Sequence, residues 1–307
     1  MSERDAEQIC KSIEDRYHKG DGMDKLELKA YGKINLGLDV IRKRADGYHD
    51  LDMIMQMVDV YDDVILTKKD DGIIVKTDAL VLPNGKENLA YMAAKMLMDE
   101  FEIRQGLEIE IHKRIPIAGG MAGGSSDCAA ALMGVNRMFD LGLSKEELME
   151  RGVKLGADVP YCILGGTAIA RGIGEILTPL PTPPRCHVVI AKPPVSVSTA
   201  FVYGQIQPEK ITKRPDIERM AQAVREQDLY QLAELLYNVM EDVTVPRYPV
   251  IQDIKDVMLR EGALNAIMSG SGPTVFGLYD DKTKAEKTVN RLSDMELTEQ
   301  LYLTRFI

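Results

Sequence analysis

Residues 116–132 read PIAGGMAGGSSDCAAAL. Four glycines and two serines stand directly before an apolar, alanine-rich run that reads as a helix. Glycine is used at this density where the main chain must adopt positive φ or approach another group closely. Pro116 fixes the exit from the segment before it. Without side chains in the way, successive N–H groups can converge on one point. The helix behind them adds the partial positive charge of its N-terminus. Ser125 and Ser126 are expected at the N-cap and first turn, where their hydroxyls are polar partners. The occupant this favours is a phosphate. The alternative is a tight, serine-capped turn with nothing bound.

The loop nearly spells a nucleotide-binding P-loop. Gly119 and Gly124 have the G-x-x-x-x-G spacing, but the next residue is Ser125 where that motif needs lysine. No pair of these glycines fits G-x-G-x-x-G either. A triphosphate held here must find its compensating cation elsewhere in the chain. Lys33, in AYGKINLGL, is the first candidate; taken by itself it reads first as a solvated edge-strand lysine. Asp158, in LGADVP, is a candidate proton acceptor. It too has a plainer reading, as a turn or cap aspartate.

The rest of the chain supplies the frame. Its 307 residues are enough for two packed lobes. With 48 acidic against 38 basic residues the net charge is −10, which disfavours nucleic acid as a partner. No apolar run has the length to cross a bilayer, and the start MSERDAEQICKSIEDRYHKGDG has no signal-peptide core, so a cytoplasmic location is expected. Cys10, Cys128, Cys162 and Cys186 form no C-x-x-C clip, which argues against structural zinc. Residues 1–22 read as a charged appendage, residues 23–182 as a first lobe and residues 183–307 as a second, with PLPTPPR as the hinge. Strands are expected over LELKAYGKINLGLDVI, LDMIMQMVDV, DVILTKK, IIVKT and LEIEIHKRI, with Asp46-Gly47 as a turn. Helices are expected from about Asn88 to Phe101, from the glycine loop to about Phe139, and after a capping box at Ser144–Glu147, the last closing at Gly156. Past the hinge the reading is a strand at CHVVIAKP, helices to about Arg260, strands at ALNAIMSG and PTVFGLYD, a helix from about Lys282 and a final strand.

Three stretches occur in order: GKINLGLDVIRKRADGYHDL; PIAGGMAGGSSDCAAAL with LGADVPYCILGGTAIARGIGE; and MSGSGPTVFGLY. The chain thereby resembles the GHMP small-molecule kinases. GKIN, DGYH and GADVP point within them to the branch that phosphorylates 4-diphosphocytidyl-2-C-methyl-D-erythritol. The resemblance implies an α+β, two-lobed GHMP kinase fold. The first lobe would be like the second domain of a small-subunit ribosomal protein, and the second ferredoxin-like.

It further implies ATP as co-substrate with Mg2+, and a small-molecule partner, in a monomer or homodimer. Asp158 would be the catalytic base and Lys33 its cationic partner. Pro116, Ile117, Ala118, Gly119, Gly120, Met121, Ala122, Gly123, Gly124, Ser125 and Ser126 would hold ATP, with Ser125 the nearest candidate ligand for the metal. Asn35, Tyr48, His49, Met55, Thr199, Tyr203, Ser271 and Gly272 would meet the acceptor, with Tyr48, His49 and Tyr203 around its cytidine. A kinase of homoserine, mevalonate or a sugar, and a GHMP-fold protein that binds without turnover, are the competing readings. DGYH disfavours the first, since those acceptors carry no base to stack. Retention of Lys33 and Asp158 disfavours the second.

Overall fold

Two long strands organise the molecule. The computed structural model describes residues 24–79 and 85–307, so the expected appendage lies outside the described residues. Strands β1 (Lys25–Lys43) and β2 (His49–Lys69) pair antiparallel along almost their whole length, closed by the expected Asp46-Gly47 turn. Gly47 has a φ of 90°, which a side chain would resist. LDMIMQMVDV and DVILTKK, read as separate strands, are one continuous β2. Its second half pairs with β4 (Gly106–His112), which continues to β3 (Ile73–Thr77). Its first half pairs with β5 (Thr167–Gly172), and β5 with β6 (Ile176–Leu180). These last two strands were not anticipated.

A second, antiparallel sheet has the order β11 (Gln300–Thr304), β7 (His187–Lys192), β10 (Val275–Tyr279) and β9 (Asn265–Met268). The proline-rich stretch carries the chain from β6 in the first sheet to β7 in the second. One short strand crosses back. β8 (Tyr237–Asn238) lies in a region read as helical and pairs parallel with β1 at Gly37 and Leu38.

The helices are α1 (Leu89–Glu100), α2 (Gly123–Met138), α3 (Lys145–Gly152), α4 (Val159–Leu164), α5 (Thr199–Gln205), α6 (Ile217–Glu226), α7 (Leu229–Leu235), α8 (Glu241–Arg247), α9 (Val250–Arg260) and α10 (Lys282–Asp294). The Ser144–Glu147 capping box is present at α3. That helix closes at Gly152 rather than Gly156. A Cβ on Gly152 would come 2.8 Å from Val159, so α4 crosses α3 there.

The first sheet is buried on both faces. Leu26, Leu38, Val64 and Leu66 belong to the core under α1 and α2. Ile34, Leu36, Ile54 and Val58 belong to a second core against Val188, Ile190 and Phe276 of the other sheet. Consequently β1 is buried at every position from Gly32 to Val40. Two polar side chains, Lys33 and Asn35, alternate with Ile34 and Leu36 in that run, bracketed by register shifts at 31/33 and 35/37. The sheet's own apolar packing therefore holds them in place.

Close packing also explains a glycine in mid-helix. At Gly134 of α2 a Cβ would lie 2.7 Å from Leu66 and 3.0 Å from Leu28. An interior helix glycine ordinarily gains about 1 kcal/mol on replacement by alanine. Here overpacking reverses the sign. Gly134→Val is expected to lower stability by about 1–3 kcal/mol, measured by urea unfolding; an unchanged or raised midpoint contradicts the packing argument.

Candidate active site

Strands β1 and β2 and the N-terminus of α2 enclose one side of a cavity of about 830 Å³. The glycine loop forms part of its wall. Ala118, Gly120 and Ala122 have φ of 51°, 77° and 57°, alternating with residues outside the left-handed region. Such alternation turns successive amides towards one side, making an anion-binding concavity. The amides of Gly120, Met121 and Ala122 donate to no protein acceptor among the described residues. These are the features a phosphate site needs.

Several details differ from expectation. The N-cap of α2 is Ala122, in the left-handed conformation and without a side-chain cap, so neither serine is the cap. Ser125 lines the cavity. Ser126 does not: it is 2% exposed, and its hydroxyl donates to the Tyr31 carbonyl at 2.6 Å and lies 3.3 Å from Cys162 Sγ. One position further along the helix, its side chain turns inward. Met121 also points inward, fully buried against Gly32, and only its main chain belongs to the loop's outer surface.

The loop is fixed through the Gly120 carbonyl, which accepts from Lys33 Nζ at 3.1 Å and from Ser269 Oγ at 3.0 Å. A Cβ on Gly120 would collide with the Ser269 carbonyl, and one on Gly119 would sit 2.7 Å from Thr274 Oγ1. The SGSGPT stretch thus packs directly on the glycine loop. Gly270 and Ser271 reach the cavity wall. Gly272 does not; its φ of 87° serves the turn, and a Cβ there would clash with Met268.

Lys33 is 5% exposed, and its amide donates to the Met121 carbonyl of the glycine loop at 3.1 Å. Its ammonium donates to Asn35 Oδ1 at 2.8 Å and lies 3.9 Å from Asp158 Oδ2. Asp158 occupies the N-cap position of α4 but caps nothing, and its side chain remains 31% exposed towards the cavity. The candidate base and cation, 125 positions apart in the sequence, therefore meet beside the glycine loop.

At the other end, Tyr48 is 59% exposed, while His49 is buried. The His49 ring stacks on Tyr203 with centroids 5.1 Å apart and planes at 25°. Its Nε2 is buried with no partner. Burial, assisted by the Lys43 charge, pushes the His49 pKa below its ordinary value, which favours the neutral ring. Thr199 Oγ1 is 2.9 Å from Ser271 Oγ, joining α5 to the third glycine stretch at the wall. Met55 is not on the wall. It is fully buried, and Met53, two residues earlier on the same strand face, lines the cavity instead.

One group went unread in the sequence. Lys113 Nζ bonds Asp127 of α2 at 2.6 Å and Asp62 of β2 at 2.5 Å, all three nearly sealed from solvent. Asp62 also accepts the amides of Arg114 and Ile115. Burial raises the Asp127 pKa to about 7 against the pull of Lys113. The salient signal was a lysine directly after a strand of strict alternation. Among the described residues, no group of three or more histidines, cysteines or acids is arranged to hold a metal. Ser125 offers only a hydroxyl, a donor set that fits a cation carried in by the nucleotide's own phosphates.

The GHMP kinase N-terminal domain matches residues 88–166, and the GHMP kinase C-terminal domain matches residues 220–296. The 4-diphosphocytidyl-2-C-methyl-D-erythritol kinase of Lachnoclostridium phytofermentans is 51% identical over 92% of this chain and 98% of its own. The chain belongs to this family of GHMP kinases. It is an ATP-dependent small-molecule kinase. The enzyme of the same name from Alkaliphilus metalliredigens is 50% identical over 88% of this chain and 94% of its own. A crystal structure of 4-(cytidine 5'-diphospho)-2C-methyl-D-erythritol kinase superposes with a TM-score of 0.79 at 30% identity, covering 92% of this chain and 99% of that one. The homoserine kinase of Cytophaga hutchinsonii shares the fold at 20% identity, with a TM-score of 0.75 over 94% of this chain and 97% of that one. Among the described residues, no helix is long and apolar enough to cross a membrane.

Lys113 also reaches the cavity wall, and the strength of its buried cluster is read by stability. Lys113→Met leaves two carboxylates facing each other and is expected to cost about 3–5 kcal/mol in stability at pH 8. Adding Asp127→Asn to that variant should restore part of it, and chemical denaturation reads both. A loss equal in the single and double variants contradicts the arrangement.

Proposed function

We propose that this kinase transfers the γ-phosphoryl group of ATP to the 2-hydroxyl of 4-diphosphocytidyl-2-C-methyl-D-erythritol, a step of non-mevalonate isoprenoid precursor synthesis. The observation that carries the reading is one cavity joining three features. These are a glycine loop with free amides, the Lys33–Asp158 pair, and an aromatic end made by Tyr48, His49 and Tyr203. Acceptors such as homoserine or mevalonate have no base to occupy that end.

In this reading the loop amides from Gly119 to Gly124, with the Ser125 hydroxyl, hold the β- and γ-phosphates. The substrate hydroxyl lies against Asp158. Its oxygen forms the new bond to the γ-phosphorus as the bond to the ADP oxygen breaks, and its proton passes to Asp158. Lys33 sits where it can stabilise both that carboxylate and charge on the transferred group. Tyr48 and Tyr203 offer aromatic faces for the cytosine, and the unpartnered His49 Nε2 can meet its polar edge. Asn35, Thr199 and Ser271 are polar contacts along the chain between base and hydroxyl. Ser125 is the candidate hydroxyl that would help hold a Mg2+ brought in with the nucleotide, which would shield the phosphate charge.

The test supplies ATP, Mg2+ and candidate alcohols and measures ADP release. Turnover with the cytidylyl substrate and none with homoserine or mevalonate is expected; the reverse pattern sinks the assignment. Asp158→Asn should retain ATP binding and lose turnover by roughly 10²–10⁴-fold, so a near-normal rate removes Asp158 as base. Tyr48→Ala should raise KM for the cytidylyl substrate about tenfold or more, in line with the loss of an aromatic stack, while KM for ATP stays unchanged. Equal rises in both contradict the stacking role.

A further inference from the structure

Asn238 is almost wholly buried in β8, outside the motifs discussed so far. All of its polar atoms are used. Nδ2 donates to the carbonyls of Met268 and Gly270, each at 2.8 Å, and Oδ1 accepts the Met240 amide at 2.9 Å. Three residues on, Glu241 Oε1 accepts the Met268 amide at 2.6 Å while its other oxygen pairs with Lys255. Thr244 donates to the Ser271 carbonyl at 3.3 Å. One turn of chain, 238–244, thus grips the approach and the tip of the SGSGPT stretch from behind.

The same residue is anchored to the strand that carries the candidate cation. Asn238 is paired with Leu38 of β1, and the Val239 amide donates to the Leu38 carbonyl at 3.1 Å. β1 also bears Lys33 and Asn35. The gripped stretch reaches the glycine loop by Ser269 Oγ, which donates to the Gly120 carbonyl, the acceptor of Lys33. A Cβ placed on Gly270 would lie 3.1 Å from the Gly120 carbonyl oxygen and 3.5 Å from Asn35 Oδ1. The circuit closes: β1, β8, the third glycine stretch, the phosphate loop, and Lys33 back on β1.

We propose that Asn238 is a positioning residue for phosphoryl transfer, acting through Ser269 on the Gly120 carbonyl and so on the placement of Lys33. It touches neither substrate nor nucleotide. Its amide sets the distance between the strand holding Lys33 and the loop that Lys33 must meet. An amide is the group suited to this task, because it donates twice from Nδ2 and accepts at Oδ1. A carboxylate would face two carbonyl oxygens with no proton to offer. This inference rests on the reading of Lys33 as the working cation.

The experiment compares Asn238→Ala, Ser269→Ala, their combination and Lys33→Ala in the full chain. ATP and the cytidylyl substrate are supplied, and rates are expressed per nucleotide site counted by ADP titration. A purely structural role lowers the number of sites; a positioning role lowers the rate at each. Asn238→Ala is expected to lose about ten- to a hundredfold in kcat per site, the scale of a small misplacement near the chemistry. KM for the cytidylyl substrate should stay within about twofold, since the base end is untouched. Ser269→Ala should lose rate in the same manner, and the double variant no more than Asn238→Ala alone, as expected for one path. Where Asn238→Ala does not fold, Ser269→Ala decides, having lost one hydroxyl and one bond. Per-site rates within twofold of wild type in the folded variants overturn the proposal, provided Lys33→Ala is inactive. So do fully additive losses in the double variant. If Lys33→Ala keeps full turnover, it is the reading of Lys33 that has failed.

Discussion

The Gly120 carbonyl is the point on which the site converges. It accepts from Lys33 on one side and from Ser269 on the other. A carbonyl oxygen has two lone pairs, and here both have a donor. Because Gly120 has positive φ and no side chain, its oxygen can stand between two elements that a larger residue would force apart. With that oxygen fixed, the neighbouring amides point towards the cavity. The glycine loop is therefore shaped by contacts from two other motifs, and the alternating φ signs along it belong to the tertiary arrangement as much as to its own glycines.

Two lysines reach the one cavity, each with its own acidic neighbours. Lys33 faces the cavity beside Asp158, close enough for attraction and without a tight ion pair. Lys113, below the start of α2, is held by two buried carboxylates. A cation so engaged is already neutralised by its neighbours. The cluster ties the end of β4 to β2 and to α2, and so steadies the helix whose N-terminus carries the loop.

Much of this could be read from the residues, and the misses have physical causes. The glycine loop was legible because dense glycine before a helix has few uses, and the proximity of Lys33 to Asp158 was expected once the three motifs were seen in order. β1, β4 and β7 followed from their apolar patterns. β8 escaped because two residues give no period. Asn238 escaped with it, since a buried asparagine in a helical stretch carries no local mark. Met55 and Met53 share a strand face, so alternation could not say which of them stands at the wall and which beneath it. Ser126 differs from Ser125 by one step of helical rotation, which sends its hydroxyl inward to the Tyr31 carbonyl. The Lys113 cluster joins residues 51 and 14 positions apart on separate elements, a juxtaposition that no local pattern along the chain reveals.

The burial of Lys33 has one more effect. An exposed lysine samples many rotamers, and ordering its long side chain costs on the order of 1.5–2 kcal/mol. Here the side chain is buried, and the ammonium is anchored to Asn35 and Gly120. Its conformational freedom was surrendered when the chain folded, long before any nucleotide arrived. The head group is therefore held in place in advance, and under the proposed function a phosphate brought to the loop would meet a field that has no search left to complete.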